Sequence, residues 1–221
     1  MRPILFPALL AALLSTSALA ADAVKPVDAA KPAEAAKEKP PAPALASTVL
    51  TDAMTGDYAL DKDHASVIFS ISHVGYSHYT GRFNTLDAQL HFDAKDASKS
   101  TLKATVAPGS VDTHNSTLEA ELASKNWFNV PAFPEATFVA TKIEKTGAAT
   151  GKITGDFTLM GVTKPVVLDA VFNGGGSFMQ KDKIGFSAKT ILKRSDFGMT
   201  AYLPIVGDAV AIDIEAEFVK K

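Results

Sequence analysis

The stretch LDKDHASVIFSISHV, residues 60–74, decides how the rest of the chain is read. Side chains of an extended strand point alternately to opposite sides, so Val67, Phe69, Ile71 and His73 share one face and Ser66, Ser70 and Ser72 the other. This is a half-buried strand with an imidazole at the end of its apolar side, entered from a polar loop that contains His64. The same period of two returns along the chain. Leu86 to Phe92, Leu102 to Val106, Thr137 to Ile143, Gly151 to Leu159, Val166 to Phe172, Ile184 to Leu192 and Val210 to Phe218 each carry one apolar face. Pattern and spacing therefore predict about eight long antiparallel strands. Turns are expected at GYSHYTG (75–81), at a Pro108-Gly109 bulge or corner, at Met160–Lys164 and at a Gly174-Gly175-Gly176 hairpin tip.

The period changes once. Leu118 and Leu122 stand four apart among Glu119, Ala120, Glu121 and Ala123, which predicts one short amphipathic helix between His114 and Ser124. It runs into NWFNVPAFP (126–134), a proline-stiffened loop too apolar for ordinary surface. Helix and loop read as a flap over one barrel end, with Trp127 and Phe128 pointing inward, or as a plug that fills the core. The expected fold is all-β: an antiparallel eight-stranded β-barrel with one short helix and a flap loop. Closure of the sheet removes its exposed edges, and small residues such as Ala88, Ala104, Ala140, Gly155, Ala170 and Ala188 leave room for a slender ligand inside. A β-sandwich would use the same strands and fill that space with facing sheets.

Composition removes several function classes. A formal net charge of -2 without a basic run argues against a nucleic-acid surface. The absence of cysteine removes disulfides, thiol catalysis and thiolate-bound metal. Residues 1–20 read as an export signal, with Arg2 as the positive end, an apolar run from Ile4 to Leu14, and Ala18-Leu19-Ala20 as the cleavage site. The alternative, an uncleaved anchor, has an apolar run shorter than the ~20 residues that span a bilayer. After processing no integral membrane segment is expected, and the location implied is the periplasm. Residues 21–55, rich in Ala, Pro, Lys and Glu, read as a disordered linker, and residues 56–221 as the barrel domain. Both a monomer and a homodimer fit this pattern.

The motifs LDKDHASVIFSISHVG, GRF (81–83), FPEATF (133–138), GDFTLMGVTKPV (155–166), KRSDFGM (193–199) and VGDAVAI (206–212) resemble, in order, the YceI-like family. The resemblance implies an exported bacterial protein with a lipocalin-like barrel, and some members are described as binding polyisoprenoid chains or other long amphiphiles in its cavity. The chain departs from the family's usual pattern at Ala65 and in the helix NSTLEAELAS.

By parity and position, Phe69, Ile71, Trp127, Phe128, Phe138, Phe157, Phe186 and Leu192 are the expected wall contacts for such a ligand; each taken singly reads as ordinary core packing, and only a collective cavity makes them a site. His73 is expected either to donate to a ligand oxygen or to be a buried structural histidine. Arg194 is expected to pair with Asp196 or to face a phosphate or carboxylate head. The five histidines show neither His-Xaa-His nor His-Glu-Xaa-Xaa-His spacing, and there is no Gly-Xaa-Ser-Xaa-Gly elbow, so a catalytic site would need His64, His73 and Asp112 to converge in the fold. No cofactor motif is present; the triple glycine lacks the context of a phosphate loop. The resemblance, together with the strand pattern, thus implies a soluble carrier of a long isoprenoid, quinone-like or fatty-acyl amphiphile. Its competitors are a stress-response interaction module with a filled barrel and a lipid-directed enzyme.

Overall fold

The computed structural model describes residues 46–221. The expected export signal (residues 1–20) and the part of the expected linker before Ala46 lie outside the described residues. Ten strands form one antiparallel sheet: β1 (Gly56–His73), β2 (Ser77–Phe83), β3 (Leu86–Phe92), β4 (Thr101–Val106), β5 (Val111–Asp112), β6 (Ala136–Lys145), β7 (Thr150–Leu159), β8 (Val162–Phe178), β9 (Lys181–Lys193) and β10 (Val206–Lys220). Eight of them close a ring in the order β1-β3-β4-β6-β7-β8-β9-β10, because β10 pairs with β1 from Tyr58↔Lys220 to His73↔Val206. That pairing makes the fold a barrel and not a sandwich. β2 and β3 follow one another along the other side of β1, β3 on its first residues and β2 on its last, and β5 adds two residues to the edge of β2.

β1 is longer than its alternation suggested. Asp61 to His64, expected as an entering loop, form a bulge inside it, where the register jumps from Leu60↔Phe218 to Ala65↔Ala216. Their polar run carries no period of two, so only the ladder on both sides reveals the strand. GYSHYTG is likewise not all turn: Ser77 onward is β2, and Val74, Gly75 and Tyr76 make the tight connection. The Gly174-Gly175-Gly176 run is not a hairpin tip either. It lies within β8, and Met179-Gln180 make the turn. The missing side chains admit the segment before β1. Ser47 exchanges backbone hydrogen bonds with Gly175 at 2.9 Å, and a Cβ on Gly175 would meet Ala53 and Ile184. Residues 46–55, counted above with the linker, thus lie on the barrel, with Ala53 buried.

The inward faces have the parity read from the sequence. At the end remote from the helix the interior is closed by aromatics: Phe92 stacks on Phe172 (6.2 Å between ring centroids), and Phe186 meets Phe172 edge-on at 5.4 Å and Phe218 at 6.2 Å. Mid-barrel, Phe138, Leu168, Ala170 and Ala188 are buried together. Close approach of backbone and ring sets one constraint there. A Cβ on Gly155 would collide with the Phe138 ring and stand 2.6 Å from the Val139 carbonyl oxygen, a backbone atom that cannot swing aside. Gly155→Ala is therefore expected to cost about 1–3 kcal/mol, the usual range for overpacking, measured as a lowered urea midpoint at unchanged slope.

The helix α1 (Ser116–Ala123) is the one α-helix among the described residues. Asn115 caps it by accepting from the Leu118 amide at 3.2 Å, and Glu119 reaches back to accept from the Thr113 amide at 2.8 Å and the Asn115 amide at 3.3 Å. Those bonds pull the Glu119 carboxyl below its ordinary pKa. Leu118 and Leu122 turn toward Phe83, Val111, Trp127 and Met199, which fixes α1 across one mouth of the barrel. No helix among the described residues is long and apolar enough to cross a membrane.

Candidate functional site

The barrel encloses a cavity of about 670 Å3 that runs from Trp127 and Phe128 under the flap to Phe172 and Phe218 at the far end. Its wall is almost wholly aliphatic and aromatic. Phe69, Ile71, His73, Trp127, Phe128, Phe138, Phe157, Phe186, Leu192 and Arg194 all stand on the wall of this one cavity. The flap covers a hollow and does not fill it. Phe128 packs edge-on against Phe83 at 5.7 Å, while main-chain bonds from Phe128 to Leu122 (2.9 Å) and from Val130 to Ala123 (3.0 Å) tie the loop to α1.

Trp127 is the centre of the flap end. Its indole N–H donates to Glu121 Oε1 at 3.3 Å, Tyr202 stacks on one side at 6.2 Å, and the Arg194 guanidinium carbon lies 5.2 Å from the ring centroid. Arg194 is 3% exposed, and its role differs from both sequence expectations. Nε donates to Gly207 O, Nη1 to Met199 O, and Nη2 to both Ala201 O and Val206 O, all at 2.8–2.9 Å. Those four bonds clasp the segment between β9 and β10, so the guanidinium is spent on backbone and neither pairs with Asp196, which is exposed, nor presents itself as an anion receptor. Burial lowers the Arg194 pKa and the nearby Asp208 opposes that shift. Asp208 itself accepts from the Ser195 amide at 2.9 Å and the Ser195 hydroxyl at 2.8 Å, which holds its carboxyl below the ordinary value.

His73 keeps the expected inward parity, yet it is exposed, because β1 runs past the last closed turn of the barrel. Its ring lies 6.4 Å from Tyr79 at the rim, so it is not a buried structural histidine. His64 sits in the bulge, 3.0 Å from Asp61 Oδ2. The two histidines stand nine positions apart along β1, about 30 Å at the strand rise. Asp112 is engaged elsewhere, accepting from Asn84 at 3.1 Å and from the His114 amide at 3.1 Å. The three residues do not converge. Asp61, His64 and Glu217 do come together, but the Lys183 ammonium already lies 2.8 Å from Asp61 and 3.2 Å from Glu217. That contact raises the Lys183 pKa and lowers that of Asp61.

Residues 58–218 match the family model described as the YceI-like domain. The chain belongs to the YceI-like family. Its relatives include UPF0312 proteins of Pseudomonas savastanoi pv. phaseolicola, 37% identical over 187 residues (80% of this chain, 95% of the relative), and of Ectopseudomonas mendocina, 39% identical over 191 residues (80% and 98%). Among solved structures, a YCEI protein of Campylobacter jejuni is 35% identical with a TM-score of 0.61, covering 68% of this chain and 90% of its own. Burkholderia cenocepacia BcnA, 24% identical, superposes with a TM-score of 0.66 over 72% of this chain and 98% of its own. A polyisoprenoid binding domain from Saccharophagus degradans, 15% identical, shares the fold with a TM-score of 0.55, covering 74% of this chain and 98% of its own.

Other wall residues of this YceI-like barrel were not singled out in the sequence. Phe92, Phe172 and Phe218 have the inward parity of their strands, so the same rule would have found them. Phe197, Met199 and Tyr202 come from the connection between β9 and β10, where no periodicity exists to point them inward. Leu50 reaches the cavity from the segment before β1, whose composition carries no such signal.

Proposed function

We propose that this YceI-like domain is a carrier that encloses one long apolar molecule, such as a polyisoprenoid, a quinone-like lipid or a fatty-acyl amphiphile, and that it works in the periplasm after export. The observation that carries this reading is the continuous apolar cavity of about 670 Å3, within the usual size of ligand sites and closed at one end by stacked phenylalanines. A molecule filling it gains about 25 cal/mol for each Å2 of apolar surface removed from water. The name of the Saccharophagus degradans domain, which describes polyisoprenoid binding, supports the ligand class by analogy of fold. Binding, not catalysis, is the role proposed, because His64, His73 and Asp112 lie apart. A filled barrel acting only through its surface would need its side chains to meet in the middle, and the hollow speaks against it.

Native mass spectrometry of protein purified from its own cell envelope tests the reading. The expected result is a lipid-sized adduct that organic solvent removes. Trp127 is the sole tryptophan, so its fluorescence should change when a long-chain isoprenoid alcohol is then added to the stripped protein. An adduct-free mass together with a flat titration would overturn the carrier reading.

A further inference from the structure

Two connections at the flap end are joined to each other. The turn Val74-Gly75-Tyr76 donates from the Val74 amide to the Ile205 carbonyl at 2.9 Å, and Ile205 belongs to the segment 198–207 that Arg194 clasps. Neither 74–81 nor 198–207 contains a single Asp, Glu, Lys or Arg. What they expose instead is apolar: Tyr76 is 90% exposed, Tyr202 61%, Ile205 59% and Val74 43%. Two of these tips also stand where the backbone disfavours them. Val74 (φ 56°) and Tyr202 (φ 59°) adopt the left-handed conformation that tight turns normally give to Gly, Asn or Asp. The chain therefore places apolar side chains at exposed turn positions against local preference. Tyr202 and Ile205 also line the cavity mouth, so the patch is continuous with the hollow. The opposite end exposes Phe178 and Met179, but Lys181, Asp182 and Lys183 follow at once.

We propose that the rim formed by Val74, Tyr76, Tyr202 and Ile205 docks the barrel on a lipid bilayer. This rests on the carrier reading: a molecule insoluble in water must leave and enter the membrane, and a rim seated among the headgroups connects the acyl region to the cavity without an aqueous gap. Tyrosine suits that depth, with an apolar ring and a hydroxyl that stays wet. Because neither connection carries a Lys or Arg, docking needs no anionic lipid and survives salt.

The test is co-flotation of the full chain with vesicles of phosphatidylcholine, and with vesicles that also contain phosphatidylglycerol, at low and high salt. It is paired with the double variant Val74→Asn, Tyr76→Ser. Neither side chain lines the cavity, and Asn before Gly suits the left-handed turn, so the variant folds. The wild type is expected to float with both vesicles at both salt levels, and the variant to float about ten-fold less, the factor for withdrawing apolar side chains from lipid. Trp127 titration with a micelle-delivered isoprenoid alcohol should be the same for both. Equal flotation of the two proteins would assign binding to another surface, including an apolar amino-terminal stretch, and overturn the proposal. So would binding that requires phosphatidylglycerol and vanishes in salt, or no binding to either vesicle, which would leave the rim to a protein partner. Normal flotation with no isoprenoid uptake would instead count against the carrier reading and leave the docking surface standing.

Discussion

Arg194→Met is expected to lower the unfolding free energy by about 3–5 kcal/mol, since each buried carbonyl left without its donor costs about 1–3 kcal/mol. Methionine keeps much of the stem's packing but donates nothing. The carbonyls of Met199, Ala201, Val206 and Gly207 would then face an apolar thioether, each losing a charge-assisted bond of 2.8–2.9 Å. The sum stays below four separate penalties because Ala201 and Val206 lie close enough to the surface for water to replace part of the loss. Arg194→Lys should recover only a fraction. Its ammonium has three donors on a single centre and cannot reproduce a planar fork that reaches carbonyls spread over nine residues. The flap should respond as well, because the guanidinium supports Trp127 from within the barrel at 5.2 Å. Urea unfolding followed by Trp127 fluorescence reads both effects: a lower midpoint, and red-shifted emission before the transition. A midpoint shift no larger than the ~0.5 kcal/mol of an ordinary surface substitution would show that the 198–207 segment is held by something else.

Arg194 also shows where sequence reading stops. The inward parity of β1, β3, β4 and β6 to β10 was legible because burial of one face leaves a period of two, and that period alone selected seven of the ten proposed site residues. Closure of the ring was suggested by small inward residues and decided only by the pairing of β10 with β1. What the sequence concealed has one physical origin: structure held by backbone groups leaves little trace in side-chain pattern. Arg194 binds four carbonyls, which any residue supplies. Gly175 receives Ser47 through main-chain bonds, so a strand interior looked like a flexible tip. Asp61 to His64 are held in β1 by the ladder on either side of them. His73 failed differently, since parity tells which face a side chain takes but not how far along the barrel axis the wall ends.

Ala170→Phe separates a hollow barrel from a filled one. Ala170 lies midway along β8 on the inner wall, buried beside Leu168 and Ala188, so a benzyl group there projects across the middle of the cavity. In a close-packed interior such an insertion forces neighbours aside and costs about 1–3 kcal/mol. Here the ring meets empty space lined by Phe138, Ile153 and Ile214, and removes its own apolar surface from water. Stability is therefore expected to hold or to rise by about 1 kcal/mol, after part of the side chain's transfer free energy is lost to imperfect packing. Ligand binding should move the other way. A tail stopped at mid-barrel forfeits on the order of 100 Å2 of apolar contact, which at about 25 cal/mol per Å2 weakens binding by about 2.5 kcal/mol, close to two orders of magnitude. A short-chain analogue that occupies only the half beneath Trp127 should bind the variant and the wild type alike. Urea midpoints and Trp127 titrations with long and short isoprenoid alcohols give the two signs independently. If stability falls while long-chain affinity stays the same, the tail does not run down the barrel axis and the interior around Ala170 is close-packed; opposite signs require a hollow that a ligand uses along its whole length.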